Sequence, residues 1–188
     1  IGAQAIGQER LFAGFGNRHA GNGNSAANHG LRIGALHGKC LAWKNIVDIR
    51  RSVDYLTARR EVKPGGVGCY GHSMGATHSW LAGPWDDRLV ALVGNCCLPT
   101  YHAILRDEIV HCYPNYIPGL LKYGDVPDLL ALIAPRAYLI NAGTEDGGSP
   151  IDEVRRAYEH AKTTYEELGG GENLELHVEE TGHVFSEG

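Results

Sequence analysis

The run RLVALVGNCC at residues 88–97 is the feature that most constrains the fold of this chain. It is almost uninterrupted in its apolar character, yet it is far shorter than the ~20 residues that a membrane span requires. No other apolar stretch approaches that length either, so the sequence predicts no membrane partner. Short apolar runs of this kind are typical of strands in a parallel sheet whose two faces are both covered.

Further strand-like runs alternate with helix-like runs along the rest of the chain. The predicted strands are GVGCY at 66–70, RAYLINAG at 136–143 and ENLELHVEE at 172–180. The predicted helices are WKNIVDIRRSVDYLTARREV at 43–62, which Pro64 and the glycines after it end, ATHSWLAG at 76–83 and SPIDEVRRAYEHAKTTYEELGG at 149–170. This alternation predicts an α/β fold with a mainly parallel sheet and helices on both faces.

Two regions do not follow the alternation. Residues 1–39 are rich in Gly, Asn, Ala and His, and we interpret the segment GFGNRHAGNGNSAANHG at 14–30 as an irregular loop. Residues 98–134 form a long excursion with several prolines, which we expect near the functional site. A chain of 188 residues can bury a substantial core, and we expect one domain over 1–188.

Charge and cysteine usage exclude several classes of function. The net charge is −5 and no basic cluster occurs, which argues against nucleic-acid binding. The five cysteines include no CxxC pair, so neither a disulfide framework nor a zinc site is predicted. The ten histidines are scattered without an HExxH motif, which disfavours a metal-binding scaffold. Cys96 and Cys97 are interpreted as small buried residues at a strand end.

The cysteine usage favours a cytoplasmic protein. The sequence begins at Ile1 rather than Met, which is compatible with a leader peptide that precedes Ile1 in the full protein.

The segment GHSMG at residues 71–75 matches the G-x-S-x-G pattern. Ser73 could simply cap the helix that follows. A helix cap does not require glycine on both sides, whereas a nucleophile elbow does, because a tight strand-to-helix turn leaves no room for side chains there. We therefore interpret Ser73 as a nucleophile, with the Met74 N–H as a donor to a developing oxyanion.

A serine nucleophile needs a base and an acid that orients the base. Glu145 and Asp146 follow the predicted strand at 136–143, and His183 follows the predicted strand at 172–180. Functional groups of open α/β sheets gather at the carboxyl ends of the strands. Ser73, then an acid, then His183 is also the order along the chain that α/β-hydrolases use.

With these residues in place, the chain resembles the α/β-hydrolase superfamily, and more narrowly its dienelactone-hydrolase-like and acetyl-xylan-esterase-like branch. The resemblance covers roughly residues 40–185 and is carried by VGCYGHSMGATHSWLAG, by YIPGLLKYGDVPDLLALIAPRAYLINAGTEDGGSPIDEVRRAY and by ETGHVF. It implies catalytic Ser73, Asp146 and His183, with Asp146 rather than Glu145 as the acid. It also implies hydrolysis of a small-molecule or carbohydrate ester through an acyl-enzyme, without cofactor or metal.

Two departures from the family refine these expectations. The elbow carries serine and no cysteine, which favours a general esterase over dienelactone chemistry. Few residues precede the elbow, so we expect a chain that lacks N-terminal strands of the full fold. The segment LHGK at 36–39 is a weak match to the loop that supplies a second oxyanion donor.

The alternatives are a serine peptidase of the prolyl-oligopeptidase type and a non-catalytic module of hydrolase fold. The sequence does not determine the oligomeric state. The residues that we expect to contact substrate are His72, Tyr101, Tyr113 and Tyr116, with His102 and Leu120 as further residues of the excursion.

Overall fold

The computed structural model describes residues 2–6, 10–15 and 39–185. In these residues six strands form one sheet, in the spatial order in which they occur along the chain. The strands are β1 (Gly2–Ile6), β2 (Arg10–Phe15), β3 (Val67–His72), β4 (Leu89–Asn95), β5 (Ala137–Gly143) and β6 (Leu174–Glu179). β1 pairs antiparallel with β2, and every other pairing is parallel.

Five α-helices lie in the same described residues. They are α1 (Leu41–Thr57), α2 (Met74–Ala82), α3 (Tyr101–Arg106), α4 (Val126–Ala131) and α5 (Ile151–Glu167). The excursion at 98–134 holds α3, α4 and two short 3₁₀ helices, Tyr113–Asn115 and Leu120–Lys122. No helix of the described residues is long and apolar enough to cross a membrane.

Four parallel strands share one row of residues near their carboxyl ends, with β5 and β6 continuing two residues further. His72 pairs with Asn95, Asn95 with Asn141, and Asn141 with His177. The ladder continues one residue further on two strands: the Ser73 N–H donates to Asn95 O at 2.8 Å, and the Cys96 N–H donates to Asn141 O at 2.9 Å. The loops after these strands therefore leave the sheet side by side.

The core lies between the sheet and the apolar faces of the helices. Leu89 and Leu92 of β4 are 1% exposed, as their apolar run predicts. Apolar residues recur at helical spacing in the sequences of α1 and α5, and most of them are buried: Ile46, Ile49 and Val53 in α1, and Val154, Ala157, Ala161 and Tyr165 in α5. Val47 of α1 belongs to the same pattern but is 37% exposed.

Two interpretations of secondary structure were wrong. No strand was predicted before residue 40, yet β1 and β2 lie there, and β2 includes the first two residues of the segment interpreted as a loop, Gly14 and Phe15. The pairing of β2 with β3 supplies the hydrogen bonds that stabilise this strand, and a short segment carries no local signal for such pairing. The first helix ends at Thr57 rather than near residue 62, since residues 58–61 are exposed and gain no burial from further helix.

Replacement of Leu130 by alanine tests the packing of the excursion onto the core. Leu130 is fully buried, so we expect Leu130→Ala to lower the free energy of unfolding by about 2–5 kcal/mol. Leu168 is 56% exposed, and Leu168→Ala is the control, with an expected change within about 0.5 kcal/mol. Urea unfolding followed by circular dichroism measures both, and equal effects would contradict the packing described here.

Candidate active site

Ser73 occupies the single position between β3 and α2. Its backbone has φ 56° and ψ −121°, a conformation that residues other than glycine rarely adopt. Its side chain makes no capping hydrogen bond to the helix. The helix-cap interpretation therefore lacks the contact that would support it, and the strained geometry is that of a nucleophile elbow.

Close packing requires a glycine at position 71, two residues before Ser73. A Cβ atom on Gly71 would lie 2.0 Å from the carbonyl oxygen of Gly75 and 2.5 Å from the amide nitrogen of Ala76. These are backbone atoms of α2, which cannot move aside without displacing the helix. The two outer glycines of the G-x-S-x-G segment thus face each other across the turn.

His183 and Asp146 form a hydrogen-bonded pair beside the elbow. His183 Nδ1 lies 2.9 Å from Asp146 Oδ2, and the Gly148 N–H donates to Asp146 Oδ1 at 2.9 Å. The Asp146 side chain is 1% exposed, whereas that of His183 is 44% exposed. A carboxylate accepts from Nδ1–H, which leaves His183 Nε2 as the basic nitrogen. Glu145, the alternative acid, is exposed.

One pocket of about 310 Å³ brings the predicted catalytic residues together. Ser73, Met74, Asp146 and His183 all line it. Met74 is the first residue of α2, and the first N–H groups of a helix have no partner within the helix. The donor predicted at Met74 therefore lies on the wall of the same pocket as Ser73.

The predicted substrate-contacting residues lie elsewhere. Tyr101 and Tyr116 line a neighbouring pocket of about 360 Å³, together with Leu120, and none of these three lines the pocket of Ser73. The Tyr101 hydroxyl donates to Asn115 O at 2.5 Å. The side chain of Tyr113 and residues 36–38 of the LHGK segment lie outside the described residues.

The two histidines named as possible substrate contacts are engaged within the protein. His102 Nδ1 lies 2.7 Å from Asp125 Oδ2. His72 packs against His183 at a ring-centroid distance of 5.1 Å and is not among the residues that line the pocket of Ser73. Burial, reinforced by the neighbouring His183, lowers the pKa of His72, so that this ring is neutral near neutral pH.

Asn95, which the sequence interpretation did not single out, connects the elbow to the histidine loop. It is 2% exposed, and its amide nitrogen donates to His72 Nδ1 at 3.1 Å and to Val184 O at 3.2 Å. Its backbone carbonyl accepts from the Ser73 N–H. The position of Asn95 at the carboxyl end of β4 is the signal that could have identified it, since the same rule pointed to Asp146 and His183.

The excursion contributes two polar side chains to the pocket wall, beside Val110 and Cys112. His111 and Asn115 line the pocket, and the Asn115 amide donates to His111 Nε2 at 3.2 Å. Burial lowers the pKa of His111 to about 4, so this imidazole is neutral near neutral pH. Among the described residues, Asn115 Oδ1 is the one buried side-chain polar atom without a hydrogen-bond partner.

Cys96 and Cys97 line the pocket from the end of β4, together with Cys112 of the excursion. Burial raises the pKa of the Cys96 thiol to about 11 and that of Cys97 to about 12, so both thiols are protonated near neutral pH. The interpretation of the Cys96–Cys97 pair as buried residues at a strand end holds for Cys96, which is 3% exposed. Cys97 is half-buried.

The amino-acid sequence matches no known family model. It is similar to the "Putative hydrolase YtaP" of Bacillus subtilis (strain 168), with 27% identity over 172 residues, which is 90% of this chain and 56% of that protein. The chain thus spans about half the length of the curated relative that it matches.

Solved structures share the fold at low sequence identity. The "putative acetyl xylan esterase" of Bacteroides fragilis has a TM-score of 0.66 at 17% identity, covering 83% of this chain and 41% of that one. A glucuronoyl esterase from Solibacter usitatus has a TM-score of 0.60 at 21% identity, covering 78% of this chain and 44% of that one. The α/β-hydrolase fold with a mainly parallel sheet is confirmed, and so is the resemblance to the acetyl-xylan-esterase-like branch, at the level of the fold.

Replacement of Gly71 by alanine tests the close packing of the elbow. Because the new Cβ would overlap backbone atoms of α2, we expect Gly71→Ala to reduce stability by about 3 kcal/mol or more. Gly147, in the acid-bearing loop, has no atom within 4 Å of its Cβ position, and Gly147→Ala is the matched control. Thermal unfolding of the two variants should separate them clearly, and an unperturbed Gly71→Ala protein would refute the elbow geometry.

Proposed function

We propose that this chain carries the catalytic centre of a serine hydrolase that cleaves carboxylic esters. The observation that carries the proposal is the 2.9 Å hydrogen bond between His183 Nδ1 and Asp146, on the wall of the pocket that Ser73 also lines. A buried carboxylate, an orienting hydrogen bond and a serine on a strained turn are the parts that acyl transfer requires.

The reaction begins when the Ser73 hydroxyl attacks the ester carbonyl. His183 Nε2 takes the hydroxyl proton, and Asp146 stabilises the resulting imidazolium through the hydrogen bond to Nδ1. His183 then donates this proton to the alcohol that leaves. The product of the first half-reaction is an ester between the acyl group and Ser73.

The second half-reaction uses the same groups with water. His183 Nε2 accepts a proton from a water molecule, which attacks the acyl group. The bond between the acyl group and Ser73 Oγ then breaks, His183 returns the proton to Ser73 Oγ, and the acid is released. In both tetrahedral intermediates, the negative oxygen lies near the first turn of α2. The Met74 N–H and the positive end of this helix stabilise that charge.

The substrate is an ester of a carbohydrate, with a compact acyl part. The structures with the same fold include an acetyl xylan esterase and a glucuronoyl esterase, whose names describe carbohydrate esters. The pocket volume of about 310 Å³ suits a small group. The polar wall formed by His111 and Asn115 suits a substrate that carries hydroxyl groups.

Replacement of Ser73 tests the nucleophile. We expect Ser73→Ala to reduce the hydrolysis of p-nitrophenyl acetate by about 10⁴-fold or more, because the covalent intermediate can no longer form. Labelling by a fluorophosphonate probe should disappear in the same variant. Ser52→Ala, on α1 and outside the pocket, is the control and should be labelled like the wild type. A Ser73→Ala protein that is still labelled would overturn the proposal.

Replacement of the two neighbouring acids tests which one orients the base. Asp146→Asn keeps the side-chain volume but favours the wrong histidine tautomer, and we expect kcat to fall by about 10⁴-fold. Glu145→Gln removes the exposed neighbour and should change kcat by less than about tenfold. Steady-state kinetics on p-nitrophenyl acetate measures both, and the reverse pattern would assign the role to Glu145.

A further inference from the structure

A third side chain lies beside the His183–Asp146 pair. The Sγ atom of Cys96, a carboxylate oxygen of Asp146 and a ring nitrogen of His183 all lie within 4.8 Å of one another. We propose that these three residues form a binding site for a thiophilic divalent cation, Zn²⁺ or Cd²⁺, and that the bound ion inhibits the enzyme. Binding of the ion stands on this geometry alone, whereas inhibition rests on the proposed function.

The three side chains supply the ligand types that such an ion prefers. Zinc is bound by thiolate sulfur at about 2.3 Å and by imidazole nitrogen and carboxylate oxygen at about 2.0–2.2 Å. His183 Nδ1 and Asp146 Oδ2 are already 2.9 Å apart, so they can contact one ion with little movement. The Cys96 side chain must shift so that its Sγ atom also contacts the ion. A water molecule from the pocket then serves as the fourth ligand of the ion.

The backbone of Cys96 is itself unusual. Its φ is 57°, a left-handed conformation that a cysteine rarely adopts. Residues held in such conformations cluster at functional sites. The proposed mechanism of ester hydrolysis does not use Cys96. Its strained backbone and its position beside His183 therefore point to a different role for this thiol.

The charges of the site favour a dication. A Cys96 thiolate and the Asp146 carboxylate together neutralise two positive charges, so the buried complex carries no net charge. The described residues that line the pocket include no lysine or arginine, and they do include the carboxylate of Glu145. No described side chain on this wall carries a fixed positive charge, and the positive end of α2 at Met74 is the one feature of these residues that opposes a cation.

Metal binding moves two protons. The Cys96 thiol loses its proton to solvent when its sulfur binds the ion. The Cys96 Sγ lies 3.3 Å from Val184 O and 3.2 Å from Asn95 Oδ1. Burial, reinforced by the nearby Asp146 carboxylate, raises the pKa of this thiol and so disfavours a free thiolate. The thiolate therefore forms only together with the ion. On His183, the proton leaves Nδ1, where the ion binds, and a proton occupies Nε2 instead.

This change of tautomer explains the inhibition. With Nε2 protonated and Nδ1 bound to the ion, His183 has no free nitrogen that can accept the proton of Ser73. Asp146 is occupied by the same ion and no longer orients the base. The nucleophile itself remains untouched, so removal of the ion restores the enzyme.

Binding is tested first in a protein that cannot turn over substrate. In Ser73→Ala, calorimetric titration with CdCl₂ should show one equivalent bound, together with a cadmium–thiolate absorption band in the ultraviolet. The double variants Ser73→Ala/Cys96→Ala and Ser73→Ala/Cys96→Ser should bind at least tenfold more weakly and lack the band. Circular dichroism verifies that they fold, and Cys96→Ser keeps the size of the side chain.

The matched control is Cys112, a second thiol on the wall of the same pocket that does not belong to the cluster. Ser73→Ala/Cys112→Ala should bind one equivalent of cadmium with the affinity of Ser73→Ala. Equal cadmium affinity in the Cys96 and Cys112 variants would overturn the proposed site. So would the absence of binding in Ser73→Ala.

Inhibition is tested on proteins that retain Ser73. For wild type, Cys96→Ser and Cys112→Ala, hydrolysis of p-nitrophenyl acetate is measured against CdCl₂ concentration and expressed relative to the metal-free rate of each protein. We expect the half-inhibitory concentration to rise at least tenfold in Cys96→Ser alone, and EDTA to restore the wild-type rate. The same half-inhibitory concentration in all three would refute inhibition through this site. A wild type without metal-free turnover would instead refute the proposed esterase, and the calorimetry would still decide whether the ion binds.

Discussion

Parallel pairing of β3, β4, β5 and β6 is the constraint on which the candidate site depends. Strands that run in the same direction release their chains at the same edge, and here His72, Asn95, Asn141 and His177 form one row in register across that edge. The turn with Ser73 and the loops with Asp146 and His183 start at or just beyond this row. A slip of β4 by one residue would turn the Asn95 side chain to the other face of the sheet and away from its partners.

Two local features position the Ser73 turn and the histidine loop at this edge of the sheet. The absence of a side chain at Gly71 lets α2 approach β3 closely enough to hold the Ser73 turn. The buried amide of Asn95 then connects His72 to the carbonyl group of Val184, next to His183. A buried polar group left without partners costs about 1–3 kcal/mol, so these contacts resist displacement of the histidine loop. Cys96 follows Asn95 in the sequence and therefore also lies close to His183 and Asp146, and this proximity is the basis of the proposed metal site.

Much of the fold could be predicted because its signals are local. The apolar run of β4 predicted a buried strand, and the helical periodicity of α5 predicted the buried residues that the structure has. The elbow could be interpreted from five residues because the steric demand on Gly71 lies within one turn. β1 and β2 were missed because their evidence is the pairing of β2 with β3, between segments more than 50 residues apart in the sequence. The substrate contacts Tyr101 and Tyr116 were expected from their place in the excursion, yet they line a neighbouring pocket, because sequence does not specify which face of the excursion turns inward.

The sequence by itself determined the types of β3 to β6 and of α1, α2 and α5, the order of Ser73, Asp146 and His183 along the chain, and the glycines that the elbow requires. These follow from periodicity and from steric limits that act within a few residues. The family resemblance already implied Asp146 as the acid, and the tertiary structure adds its hydrogen bond to His183. Only the tertiary structure decided that Asn95 joins the two loops and that Cys96 lies beside the base. Each of these depends on which side chain a loop buries against a distant strand, and burial across the sheet is decided by the packed fold rather than by neighbouring residues.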